Sequence, residues 1–254
     1  MHSRTLALSA ALGVAVVPGA APPAGADGVQ QVLVPRAHGV PGSYGVPREH
    51  GVPGSYGVRG DAAGAAELLD RVKECAQISR GAYREDANAP ADVPVCEKKG
   101  AVFWKADMDI DCDGQRTERC NATTDPHFLP QTAYRQSDGR PLNAEKLPFV
   151  VVPGAGDLWK PSASGVRGGG VVAVIHEGRV RYGVVGDTGP TRIIGEASYA
   201  MARSLGVDPD PRTGGVDSGV TYILFKDSRV DPIEDHGAAV TLGESLARKF
   251  LAEN

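Results

Sequence analysis

Two carboxyl-bearing residues, Asp187 and Glu196, stand nine positions apart in the stretch Tyr182–Met201. An apolar run ends at Gly186, Asp187 follows in a turn punctuated by Gly189 and Pro190, and Glu196 opens a segment of helical composition. A carboxyl pair held at the ends of regular elements can act as acid and base when its surroundings keep one member protonated and the other ionised. Glycosidic cleavage uses such a pair, and so does an aspartic-type protease. Asp187-Thr188-Gly189 has the protease triplet form, with Asp217-Ser218-Gly219 as a candidate partner. Only 30 positions separate the two, too few for one triplet in each of two lobes, so this alternative survives only as a single-triplet dimer.

A second group of acids lies upstream. Strand alternation over Ala101–Gly114 places Val102, Trp104, Ala106, Met108, Ile110 and Cys112 on one face, with Phe103, Lys105, Asp107, Asp109 and Asp111 on the other. Three carboxylates at spacing two repel, so the acid row asks for solvent or a positive partner. Asp109-x-Asp111-x-Asp113-Gly114 opens like a calcium loop, but Cys120 stands where its bidentate Glu belongs, leaving only a looser calcium site open. A polymer bearing ammonium groups is the other partner that fits. Other chemistries lack their residues: there is no Gly-x-Ser-x-Gly elbow, the six His have no zinc spacing, and Gly168-Gly169-Gly170 precedes a strand instead of opening a helix.

The elements that must position these groups are mostly short apolar strands, at Phe149–Val152, Val171–His176, Val180–Val185 and Val220–Phe225, with Glu177-Gly178 as a hairpin turn. Helices are expected at Ala62–Ser79, at Glu196–Leu205 stopped by Gly206, and at Thr241–Ala252 behind a Thr241/Glu244 capping box. The expected fold is mainly β with flanking helices (α+β), a small, mostly antiparallel sheet or barrel.

Residues 1–26 read as a signal peptide, with Arg4, the apolar Leu6–Val17 and the small-x-small site Ala24-Gly25-Ala26. Residues 27–61 carry the nonapeptide His38–Val46 again as His50–Val58 and read as a Gly/Pro-rich linker, leaving a catalytic domain at 62–254. Loss of Arg4 takes the formal charge from -4 to -5 (-4 - 1), which offers no general attraction for nucleic acid or anionic lipid. Four Cys in an exported chain favour two disulfides. Three pairings are open, and Cys75–Cys96 with Cys112–Cys120 are expected because both close short loops.

The stretches Phe103–Gly114, Val171–Ile175, Tyr182–Pro190, Ile194–Ser198, Ser218–Tyr222 and Pro232–His236 together resemble the secreted chitosanases of glycoside hydrolase family 75, from about Cys96 onward. The resemblance implies endo-hydrolysis of β-1,4-linked glucosamine polymers with inversion, without metal or cofactor. It places the catalytic pair on Asp187 and Glu196. Asp107, Asp109, Asp111, Trp104 and Tyr222 are then expected to meet substrate, with chitosan as the partner of a monomer. Glu196 is assigned as general acid and Asp187 as base, although a helix N-terminus would favour an ionised Glu196. The strand, turn and helix around Asp187 resemble double-psi β-barrel enzymes in architecture. A non-catalytic secreted barrel that binds polysaccharide is the competing class.

Overall fold

Strands of Val, Ile and aromatic residues dominate residues 63–254, the part that the computed structural model describes. The expectations for the leader at 1–26, the repeats at 27–61 and the helix start at Ala62 lie outside the described residues. The described part opens with helix α1 (Ala65–Arg71), then the short strands β1 (Ala76–Gln77), β2 (Tyr83–Arg84), β3 (Ala91–Val93) and β4 (Cys96–Lys98). The long β5 (Ala101–Asp111) precedes β6 (Phe149–Pro153), β7 (Val171–His176), β8 (Arg179–Gly189) and β9 (Glu196–Ser198). Helix α2 (Tyr199–Leu205), β10 (Val216–Phe225) and helix α3 (His236–Glu253) complete it.

The sheet runs β1-β4-β5-β10-β7-β8-β6-β9, and β9 also pairs with β5, so the six strands from β5 round to β9 close into a barrel. Two seams, β5 with β9 and β6 with β8, are parallel, and the other four are antiparallel. This is the α+β small barrel expected. Glu177 (φ 46) and Gly178 (φ 75) turn β7 into β8, the two positive dihedrals matching the right-handed twist of the strands they join.

The strands are apolar on both faces because there are two cores. Trp104, Met108, Val150, Val174, Val185 and Tyr222 fill the interior, each at most 1% exposed. Phe103, Phe149, Val184 and Phe225 face outward into a second core that includes Ala247 and Phe250 of α3, where the Phe225 and Phe250 rings meet edge to face. Each buried aliphatic or aromatic side chain contributes about 1.5–3 kcal/mol, enough to override the helix or strand preference of any single residue.

Several elements differ from expectation for local reasons. The first helix ends at Arg71, and the chain passes into edge strand β1, with Cys75 tied to Cys96 at the start of β4. The second disulfide joins Cys112 to Cys120. Glu196 is not in a helical turn: it begins β9, and α2 starts only at Tyr199, where Ser198 caps it by accepting from the Met201 N–H. The last helix starts at His236 with Asp235 as its cap, and Thr241 donates to the Gly237 carbonyl from inside it, so no capping box forms there. Asp187 is likewise not in a turn, since β8 runs through it to Gly189.

Candidate active site

Four carboxylates of the site, Asp109, Asp111, Asp187 and Glu196, come from one side of the barrel wall, where β5, β9, β6 and β8 run side by side. Val150 pairs with Val185 and with Ala197, and all three point into the barrel. Simple alternation would send Asp187 inward with Val185. A β-bulge prevents this: the next register pair is Val151 with Asp187, leaving Gly186 as the extra residue and turning Asp187 to the outer side. Gly186 lies against Phe149, whose ring a Cβ at that position would overlap. On β9 the inward Ala197 leaves Glu196 facing outward, beside Asp109 of β5, its register partner. Asp111 follows two residues on. Gly189 leaves room for the Glu196 carboxylate, since a Cβ there would lie 2.9 Å from Oε2.

Asp109, Asp111, Asp113, Asp187 and Glu196 line one cleft of about 560 Å³, with Asp125, His127, Leu129 and Arg212 on its other sides. Among the described residues Arg212 is the one Lys or Arg in that lining, and its guanidinium is engaged by the carbonyls of Thr123 and Thr124. None of the five acids forms an ion pair among the described residues.

Their surroundings set the members of the pair apart. Asp187 is 7% exposed, and its Oδ1 accepts the backbone N–H groups of Ala133 (2.8 Å) and Thr188 (2.7 Å). Burial raises its pKa and the two donors hold it down, so the ionised form has fixed partners. Glu196 accepts no hydrogen bond among the described residues. Burial first, then the charges of Asp109, Asp113 and Asp187, push its pKa up to about 7. Burial also raises Asp113 to about 6 and lifts the buried Asp111 well above the usual carboxylate range. The Asp111 carboxylate accepts the Asp113 N–H at 2.6 Å, and that of Asp113 accepts the Leu129 N–H at 2.7 Å. The cleft can thus hold a proton at Glu196 and a negative charge at Asp187 at the same pH, the condition for concerted acid and base.

Asp187, Glu196, Asp109 and Asp111 are therefore brought together, while Asp107, Trp104 and Tyr222 are not. Trp104 and Tyr222 stack 5.5 Å apart in the barrel interior at 1% and 0% exposure, out of reach of any polymer. The Tyr222 hydroxyl donates to the Asp107 carbonyl. Among the described residues no Phe, Tyr or Trp lines the cleft, which leaves charge as the recognition its lining offers. Asp107 leaves the outer face as expected but is covered by the loop carrying Glu85, which accepts its N–H, and by Gly195; it is 5% exposed and its pKa is pushed up to about 8, first by burial and then by Asp109, Glu85 and Asp86. Sequence reasoning missed Asp113, Asp125, Arg212 and the Ala133 N–H. Asp113 alone carries a signal, as a member of the Asp109-x-Asp111-x-Asp113 run that leaves only a looser calcium site open. Among the described residues no group of three or more His, Cys, Asp and Glu has a metal-holding arrangement.

Residues 108–250 match the family described as the fungal chitosanase of glycosyl hydrolase group 75. The chain is 33% identical over 132 residues to an endo-chitosanase C of Aspergillus oryzae, covering 50% of this chain and 32% of that protein. It is 32% identical over 143 residues to an endo-chitosanase B of the same organism, covering 50% and 60%. It is 29% identical over 150 residues to an endo-chitosanase of Aspergillus fumigatus, covering 54% and 63%. The match thus spans between about a third and three fifths of those relatives. Among solved structures, a Streptomyces papain inhibitor aligns over 53% of this chain and 100% of its own, at 18% identity and a TM-score of 0.32.

Proposed function

Because the chain belongs to the chitosanase family of glycosyl hydrolase group 75, we propose that it is a secreted endo-chitosanase whose catalytic domain spans 62–254 and whose catalytic pair is Asp187 and Glu196. The observation that carries this reading is the unequal treatment of the two carboxyl groups: two backbone donors for Asp187, none for a half-buried Glu196 among acids.

In the inverting reaction, Glu196 gives its proton to the glycosidic oxygen as the bond from the anomeric carbon to that oxygen breaks. Asp187 takes a proton from the water whose oxygen bonds to the anomeric carbon from the opposite face. Placing Glu196 in β9 removes the helix N-terminus that would have opposed its role as acid. Asp109, Asp111 and Asp113 give a polycationic chain a bed of carboxyl groups, and an ammonium group beside them favours their ionised form and charge-assisted hydrogen bonds. Family membership, the signal-like leader at 1–26 and the two disulfides support secretion.

Purified full-length chain incubated with chitosan should release reducing ends, the first product carrying the α-anomer by NMR. Chitin, cellulose and casein should remain intact. Release of the β-anomer first would overturn inversion, and binding to chitosan without release would leave a polysaccharide-binding barrel.

A further inference from the structure

The Ala133 N–H that reaches Asp187 belongs to no strand; it comes from a loop over residues 131–137. What holds that loop decides how well Asp187 is served. Thr132 Oγ1 donates to the Tyr134 carbonyl at 2.6 Å within the loop and accepts the Leu142 N–H at 2.9 Å from beyond it, which ties Ala133 between two fixed neighbours. Besides the Gln115 side-chain amide, which donates to Gln136 Oε1 at 2.9 Å, and the Gln136 N–H, which donates to the Arg140 carbonyl at 2.8 Å, two attachments reach segments far along the chain. The Tyr134 ring lies against Gly168, where any Cβ would overlap it. The Ser137 N–H lies 3.1 Å from each Glu234 carboxylate oxygen, and the Ser137 hydroxyl donates to the same group. A cavity of about 170 Å³, lined by Tyr134, Ser137, Gly168 and residues 229–233, lies between these two attachments, so packing is incomplete where they hold the loop.

We infer that Tyr134 and Glu234 are positioning residues, which act through the 131–137 loop to hold the Ala133 N–H against the Asp187 carboxylate. The inference rests on the catalytic reading of Asp187. It also gives a use to two motifs that the cleft itself leaves unused, Gly168-Gly169-Gly170 and Pro232–His236. Neither touches the cleft, and each supplies one anchor of the loop. Asp187 faces Asp111 from β5, Asp113 from the turn after it and Glu196 from β9, with His127 and Arg212 also lining the cleft. Against three acids, loss of one of its two N–H donors should matter more than it would on an open surface.

The test uses the full chain as wild type, Glu234→Ala, Glu234→Gln and Gly168→Ala. Three quantities are read: titration of the Asp187 side-chain carbon by NMR, hydrogen exchange at the Ala133 amide, and the pH profile of turnover on chitosan oligomers. In Glu234→Ala and Gly168→Ala, Asp187 should titrate about one pH unit higher, and the Ala133 amide should exchange about tenfold faster. The acidic limb of kcat should follow the titration, and kcat should fall about tenfold with KM within about twofold. Glu234→Gln keeps one acceptor for the Ser137 N–H and should fall between. Wild-type titration and exchange in both alanine variants would overturn the inference. If Gly168→Ala does not fold, the partly exposed Glu234 variants decide alone. Titration and exchange do not depend on turnover: an inactive wild type would sink the catalytic reading while these two measurements still judged the positioning.

Discussion

Residues 101–106 and 107–113 form one run of backbone, yet they solve opposite problems. The first half is buried on both faces except at Lys105, and pairs with β4 on one side and β10 on the other. Packing holds it. The second half places four carboxyl groups at alternate positions, and none has a cationic partner among the described residues. Its neighbours are Glu196 on β9 and, beyond the bulge at Gly186, Asp187 on β8. The contrast teaches that stability and charge are divided along the strand: the fold is secured where charge is absent, and that security tolerates a crowd of acids with no Lys or Arg paired to them among the described residues.

The division can be broken first at its stable end. Trp104→Ala removes a fully buried ring and should cost about 3–5 kcal/mol in urea unfolding, while the folded fraction keeps its KM for chitosan oligomers. A selective rise in KM would show that the interior ring serves the cleft after all. At the chemical end, Asp187→Asn and Glu196→Gln should each lower turnover at least about a hundredfold with the circular dichroism spectrum retained. Near-native turnover in either would remove that residue from the mechanism.

The third effect is smaller and concerns pH. Asp113 at about 6, Glu196 at about 7 and Asp107 at about 8 all bind protons more tightly in the fold than ordinary carboxyl groups do. Their stabilising contribution is therefore complete below the unfolded values near 4, and it is lost as pH rises through the folded ones. Between about pH 4 and 8 the chain should lose on the order of 1–3 kcal/mol from this source, visible as a falling Tm, and Asp107→Asn should flatten the curve. A Tm that rises over that range would contradict the burial of these acids. Over the same range kcat should drop as Glu196 loses its proton near pH 7. The smallest effect belongs to the exposed Asp109: Asp109→Asn should raise KM about two- to fivefold with kcat little changed, and added salt should mimic it in the wild type. No change in KM would confine substrate recognition to the deeper acids.

Where burial on both faces makes a strand a continuous apolar run, the sequence was legible. The four apolar runs sit within β6, β7, β8 and β10, and the hairpin at Glu177-Gly178 follows from turn chemistry. The cleft was legible only in part, because three of its determinants are invisible to periodicity. The bulge at Gly186 changes the face of Asp187 without changing any residue type. The cover of Glu85 over Asp107 comes from a segment 22 positions away. Glu196 opens a stretch of good helical composition, yet it pairs with β5 because Ser198 can cap α2 and also bond the Phe149 N–H and the Leu147 carbonyl. Aromatic residues misled for a related reason: Trp104 and Tyr222 look like sugar platforms in one dimension, and only the closed barrel turns both inward.

The stave that closes the barrel is three residues long and joins β5 to β6, pairing Asp109 with a residue 87 positions later in the chain (196 - 109). Contacts of that range form late, since the entropy of bringing distant segments together must be met before their pairing is rewarded. Glu196 reaches its neighbours only once that stave is seated. A refolding chain should acquire its strands and helices before it acquires any chemistry, and the return of turnover would time the moment of closure.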